Sequence, residues 1–199
     1  MELKMSFNKH IKLLLTTIFL TLPAYSVSVI AQEGSMSDSY IFLKATKDKD
    51  YAKVKNYLQR GTNVNTRDYD DGKTALYIAA SLKDPILVTF LLNEKAKTDI
   101  PVRSTGETPL MVAVRLKSKK IVELLISQRA NPDIGDRNGE TALYKAVRGN
   151  NRDSVKMLLA ANADWSIADN TGRTPLDLTK ENRRLRNMAK MLEKAGAEY

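Results

Sequence analysis

The chain contains no cysteine and one histidine, His10, among 199 residues. Without cysteine there is no disulfide, no thiol nucleophile and no lipid anchor through an N-terminal cysteine, so stability must come from packing. Beyond residue 10 there is no imidazole either. That excludes Ser-His-Asp and Cys-His nucleophilic sites, a histidine base and the usual zinc ligand sets. No glycine-rich phosphate loop is present. No Asn-x-Ser/Thr acceptor occurs, which together with the missing cysteine leans toward a bacterial envelope protein. Carboxylate-only chemistry is what remains. Its candidates are Asp68, Asp70, Asp71, Asp136 and Asp169. All lie in segments of turn composition, where Asp accepts hydrogen bonds from local backbone N–H groups, and that is the simpler role. Asp68–Gly72 lacks the spacing and closing Glu of an EF-hand loop. No catalytic residue, cofactor or metal is expected.

Negative charge is also scarce: 23 acidic residues face 32 basic ones, a net charge of +9. An apolar content of 43% is too high for a disordered chain. The basic balance favours anionic partners without choosing among them. At the N-terminus Lys4, Lys9 and Lys12 precede the apolar run Leu13–Leu22, Pro23 breaks it, and small residues follow. This is the pattern of a secretory signal peptide, with cleavage expected after Ala31 and a cut after Ser26 as the alternative. An uncleaved anchor is the other reading, since Leu13–Ala31 is about long enough to span a bilayer. Either way the rest of the chain faces outward. Removing residues 1–31 still leaves a net charge of +7.

The rest of the chain repeats. Gly72-Lys-Thr74-Ala-Leu76, Gly106-Glu-Thr108-Pro-Leu110, Gly139-Glu-Thr141-Ala-Leu143 and Gly172-Arg-Thr174-Pro-Leu176 recur at spacings of 34, 33 and 33. An apolar stretch follows each, beginning at Ile86, Ile121, Ser154 and Met188. A degenerate first copy runs from about Ser39 through Gly61-Thr-Asn-Val-Asn65. Each unit reads as two short helices and a turn. Leu76, Ala79 and Ala80 share one helical face, as do Leu110, Ala113 and Val114. The Thr of each opening can cap the first helix, with Pro109 and Pro175 where a missing N–H costs nothing. Val88, Leu91 and Leu92 make the second helix bulkier. One such pair cannot bury its apolar face alone, but a stack can.

Gly-x-Thr-Pro-Leu, then Ala-Ala, then Val-x-x-Leu-Leu and Gly-Ala-Asn at a period of 33 resembles the ankyrin repeat. The resemblance spans roughly residues 38–199. It implies an all-α solenoid of about five helix-turn-helix repeats, with residues 1–31 as signal peptide, 32–38 as linker and 39–199 as the repeat domain. Two departures stand out. Where the family usually has His after Thr-Pro-Leu, this chain has Tyr77, Met111, Tyr144 and Asp177, so bonds made by that His must be absent or replaced. An extra residue near Pro101 or Val102 should distort one hairpin. The first unit, with Tyr40, Phe42, Tyr51 and Tyr57, and the last, with Arg183, Arg184, Arg186, Lys190 and Lys194, read as polar caps. Trp165 is expected to close the gap between repeats four and five.

The resemblance also implies where a partner binds, at hairpin tips and inner helices. Those positions hold Asp70, Asp71, Lys73, Ser81 and Leu82 in repeat two, and Ser104, Thr105, Glu107, Arg115 and Leu116 in repeat three. In repeat four they hold Arg137, Asn138, Glu140 and Arg148, and in repeat five Asn170, Thr171 and Arg173. Lys83, Arg115, Lys117, Arg148 and Arg152 are expected to form one basic column, with Leu82 and Leu116 beside it. Reversing Arg115 and Arg148 to Glu is expected to slow association at little cost in stability. The function implied is non-catalytic protein binding by a periplasmic or secreted monomer, as a scaffold or immunity-like inhibitor. The partner is another protein with an acidic surface. No nucleic acid is expected, and no stable membrane span once the signal is cleaved. A secreted effector that binds host proteins and a carboxylate-based enzyme are the alternatives.

Overall fold

The computed structural model describes residues 36–196. The expected signal peptide and all but the end of the expected linker lie outside the described residues.

Thr74, Thr108, Thr141 and Thr174 set the frame. Each lies in extended backbone, and its hydroxyl accepts from the N–H three residues on, which starts a seven-residue helix. Such a cap stabilises by about 1 kcal/mol. Pro109 and Pro175 occupy the first helical turn. The elements pair as α1 Asp38–Lys47 with α2 Tyr51–Gln59, α3 Ala75–Ser81 with α4 Pro85–Asn93, and α5 Pro109–Arg115 with α6 Lys119–Ser127. Then come α7 Ala142–Arg148 with α8 Arg152–Ala160, and α9 Pro175–Glu181 with α10 Arg186–Lys194, the last pair joined by a 3-10 turn at Arg183–Leu185. Among the described residues there are ten α-helices and no strand, only an isolated bridge between Arg67 and Thr74. None of these helices is long and apolar enough to cross a membrane.

The first helices α1, α3, α5, α7 and α9 stack in one row, and the second helices α4, α6, α8 and α10 in another. Equivalent leucines meet across repeats: Leu76, Leu110, Leu143 and Leu176 in the first row, Leu91, Leu125, Leu158 and Leu192 in the second, all buried. Each buried Leu side chain contributes about 1.5–3 kcal/mol. The second helices have caps that the repeat pattern alone does not announce. Asp50, Asp84 and Asn151 accept from the N–H three residues on, whereas Ser118 makes no such bond. The turn joining the two helices needs left-handed backbone, yet it is filled by Lys49, Lys83, Lys117 and Asn150. For Lys that conformation costs roughly 1–2 kcal/mol, and packing of the flanking helices absorbs it.

The extra residue expected near Pro101 or Val102 falls in the hairpin tip that begins at Val102. In repeats four and five the hairpin closes over five residues, Asp136–Glu140 and Asp169–Arg173. In repeat three it closes over six, Val102–Glu107, so the insertion is in the tip after Val102. Repeat two has the same six-residue tip, Asp68–Lys73. Its insertion was hidden because no Gly-x-Thr opening precedes it. The tips are stitched together by Arg103 N–H to the Asp71 carbonyl, Arg137 N–H to Thr105, and Asn170 N–H to Asn138, at 2.8, 3.0 and 2.9 Å. Asp68, Asp136 and Asp169 each accept two backbone N–H bonds within their own tip.

At the ends, Phe42 and Tyr57 are buried while Tyr40 and Tyr51 are exposed. Helix α10 buries Met188, Ala189 and Leu192 and leaves Arg186, Lys190 and Lys194 exposed, as are Arg183 and Arg184 in the 3-10 turn before it. Trp165 packs half-buried against the core, with Gly196 beside its ring.

Candidate interaction groove

The missing histidines are replaced by a different chemistry at each repeat interface. Between repeats two and three, the buried Tyr77 hydroxyl donates to Glu107 Oε2 at 2.6 Å. Between four and five, Tyr144 donates to Asp169 Oδ2 at 2.5 Å. The carboxylate differs because the available positions differ. Repeat three has Val102 where repeat five has Asp169, and repeat five has Arg173 where repeat three has Glu107. Burial and the neighbouring carboxylate push the Tyr77 hydroxyl well above its ordinary value and that of Tyr144 up to about 12. Asp169 is held well below the usual carboxylate range, by the Thr171 hydroxyl first and Tyr144 second.

Between repeats three and four Met111 has no hydroxyl to give. There Asp136 and Glu140 turn to Lys145, whose ammonium donates to them at 2.6 and 2.9 Å. Lys145 is only 8% exposed, and the cost of burying its ammonium is offset by charge-assisted bonds to two carboxylates. Asn151 Nδ2 crosses this interface to the Val114 carbonyl at 3.0 Å.

On this side of the array lies an open groove of about 510 Å³, lined by Ser104, Thr105, Glu107, Arg115, Asp136, Arg137, Asn138 and Lys145. Two matched ion pairs lie on this side of the array: Glu107 with Arg115 in the lining of the groove, and Glu140 with Arg148 beyond it, joined to the lining through Lys145. Glu107 is 7% exposed and accepts from Arg115 Nε at 2.9 Å and Nη2 at 3.1 Å. Glu140 is 6% exposed and accepts from Arg148 Nη1. In both repeats the Glu precedes the capping Thr and the Arg is the last helical residue. Side chains lean toward the helix N-terminus, so the long Arg returns along the helix to meet its Glu. Burial pushes the Glu107 carboxyl up, but the bonds from Arg115 and Tyr77 outweigh it and hold it below its ordinary value. The bond to Glu107 raises Arg115 in turn. Among the described residues no cluster of His, Cys, Asp and Glu is arranged to hold a metal ion.

The family model described as Ankyrin repeats (3 copies) matches residues 42–136 and 120–199, most of the chain. The chain belongs to the ankyrin-repeat family. A comparison with curated proteins finds no match.

Within this ankyrin array the residues expected to face a partner have different placements. Arg115, Arg137, Arg148, Arg152, Arg173, Lys83 and Lys117 are exposed. Lys73 is half-buried and pairs with Asp71. Leu82 and Leu116 are half-buried edges of the core. Glu140 is buried, because Lys145 and Arg148 draw it inward. The five cations expected in one column occupy three positions of the ankyrin repeat. Arg115 and Arg148 end the first helix, Lys83 and Lys117 sit in the turn, and Arg152 opens a second helix. Only Arg115 of the five lines the groove. Reversal of Arg115 to Glu would set a second carboxylate against buried Glu107, so its stability cost is not small. Lys145 carried no signal as a site residue beyond its place in the apolar run Ala142–Val147.

Proposed function

We propose that the protein is exported and binds another protein through the groove side of its ankyrin array, without catalysis. The observation that carries this reading is the layering of charge. Glu107 and Glu140 are buried, while the side chains of their partners Arg115 and Arg148 are 50% and 51% exposed. What a partner meets is therefore cationic, set among the polar tips of Ser104, Thr105 and Asn138. Such a face favours an acidic protein surface, which speeds association and makes it salt-sensitive. The pattern of residues 1–31 supports export to the periplasm or beyond, and the role that fits a small exported binder is a scaffold or an immunity-like inhibitor, acting as a monomer.

The test is affinity capture from the cell's own envelope extract with the mature protein as bait, followed by association kinetics with the captured protein. Arg115→Gln with Arg148→Gln should slow association and flatten its salt dependence. Indifference to both would refute the reading. Cell fractionation and N-terminal sequencing test export: an N-terminus at Gln32 is expected, and intact Met1 in the membrane fraction would favour an anchor.

A further inference from the structure

We infer that the groove between repeats three and four binds an extended acidic peptide segment, read by Arg115 in its lining and by Arg148 one step beyond the lining, past Lys145 and Glu140, with Glu107 and Glu140 as positioning residues. This rests on the protein-binding reading above and gives its site and the chemistry of its partner.

The guanidinium carries five N–H donors in a planar fork. Glu107 takes the side edge of Arg115, using Nε and one Nη2 hydrogen. The outer edge keeps its donors and points to where a second carboxylate can be gripped by two bonds. Both oxygens of Glu107 are already engaged: Oε1 accepts from Arg115, and Oε2 from Arg115 and Tyr77. Asp136 likewise has both oxygens engaged, by Asn138 N–H, Glu140 N–H and Lys145. The carboxylates of the groove are thus already paired, and the exposed charges of its lining, Arg115 and Arg137, are positive.

Geometry sets the form of the ligand. Arg115 and Arg148 hold the same position on neighbouring first helices, and packed helices lie about 8–10 Å apart. In an extended chain, residues i and i+2 point the same way about 6.6–6.8 Å apart. Two Glu side chains splayed from such positions reach both guanidiniums. Exposed Ser104, Thr105 and Asn138 then face the peptide backbone.

Positioning is the distinctive part. A free Arg loses rotamer freedom when it binds, whereas one already clamped by a buried Glu has lost it on folding. Glu107 and Glu140 therefore strengthen acidic-peptide binding although they carry the same sign as the ligand. Simple charge attraction predicts the opposite, because neutralising either Glu makes the protein more basic.

The experiment is fluorescence anisotropy of fluorescein-labelled decaglutamate with the full chain, with decaglutamine and decalysine as controls. Arg115→Gln with Arg148→Gln should weaken decaglutamate binding about tenfold or more. Arg183→Gln with Arg184→Gln, on the cap, should leave it within about twofold. Glu107→Gln and Glu140→Gln should each weaken it about two- to tenfold. Glu140→Gln leaves the tyrosine bonds untouched, and Lys145 keeps Asp136 and an amide oxygen as partners, so it decides the matter if Glu107→Gln lowers the melting temperature. Failure of the wild-type chain to bind decaglutamate, or loss at the cap and not at the groove, overturns the inference. So does unchanged or tighter binding by both Gln variants. The capture experiment stands apart from all three outcomes: a captured partner that ignores these substitutions sinks the groove assignment but leaves protein binding in place.

Discussion

Removing the hydroxyl of Tyr77 isolates the bond that stands in for the missing histidine. The group is buried and donates to an ionised acceptor at 2.6 Å, a class of bond worth about 1.5–3 kcal/mol. In Tyr77→Phe, Glu107 keeps both bonds from Arg115, so the loss should fall near the lower end, about 1.5 kcal/mol. In Glu107→Ala the hydroxyl is stranded in the core while Arg115 recovers water, and about 2–3 kcal/mol is expected. The double variant has nothing left to strand. The coupling energy of the cycle should therefore be about 1–2 kcal/mol, read from urea unfolding by far-UV circular dichroism. The bond joins repeats two and three, so both single variants should also broaden the transition as the first two repeats begin to unfold separately. Met111→Leu, at the equivalent position without a hydroxyl, should cost less than about 1.5 kcal/mol and show no coupling to Glu107. A Tyr77–Glu107 coupling under about 0.5 kcal/mol would refute the view that this bond holds the interface.

Leu125→Ala and Leu158→Ala, both fully buried, should each cost about 2–5 kcal/mol, and Lys119→Ala under about 0.5 kcal/mol; equal urea midpoints would contradict the layer assignment. Acid unfolding should set in between pH 4 and 2. Asp177, held at about 2 by the Thr174 N–H and Lys180, and Glu107 and Asp169 all have lowered folded-state values, so their stabilisation is present above the unfolded values and lost as pH falls. Tyr144, raised to about 12, works the other way: its stabilisation is full below pH 10 and lost as pH rises toward 12, and Tyr144→Phe should reduce that alkaline loss in a pH-dependent melting series. Gly139→Ala should destabilise more than Gly172→Ala in thermal melts. Both have φ near +80°, but a Cβ at 139 meets Asn170 at 2.7–2.9 Å while one at 172 meets nothing within 4 Å.

The letters that define the repeat also define its fold. Thr before the first helix, Leu at its second position and Leu deep in the second helix each act locally or on an equivalent residue one period away. A period read from one chain therefore captures them. The groove was less legible. Arg115 and Glu107 were both visible as polar positions near the inner helix, but periodicity assigns faces and not pairings, so both appeared outward. Only the backward lean of the Arg and the depth of the Glu reveal that one is covered by the other. Lys145 was hidden for the opposite reason. It lies on the buried face of α7, where a charge makes sense only once Asp136 and Glu140 are known to converge on it.

One residue before the capping Thr, the four tips carry Lys73, Glu107, Glu140 and Arg173. The central repeats thus place a carboxylate where the outer ones place a cation. At repeat four that carboxylate serves Lys145 and Arg148, both within its own repeat. At repeat three it serves Arg115 on the groove and Tyr77 across the interface at once. Changes at Tyr77 can therefore alter the array with modest effect on binding, whereas changes at Arg115 reach the array through the buried Glu107 that they leave behind. Glu107 admits no separation. Any substitution there moves the aim of the guanidinium and the strength of the repeat two–three contact together, which ties specificity to stability at a single side chain.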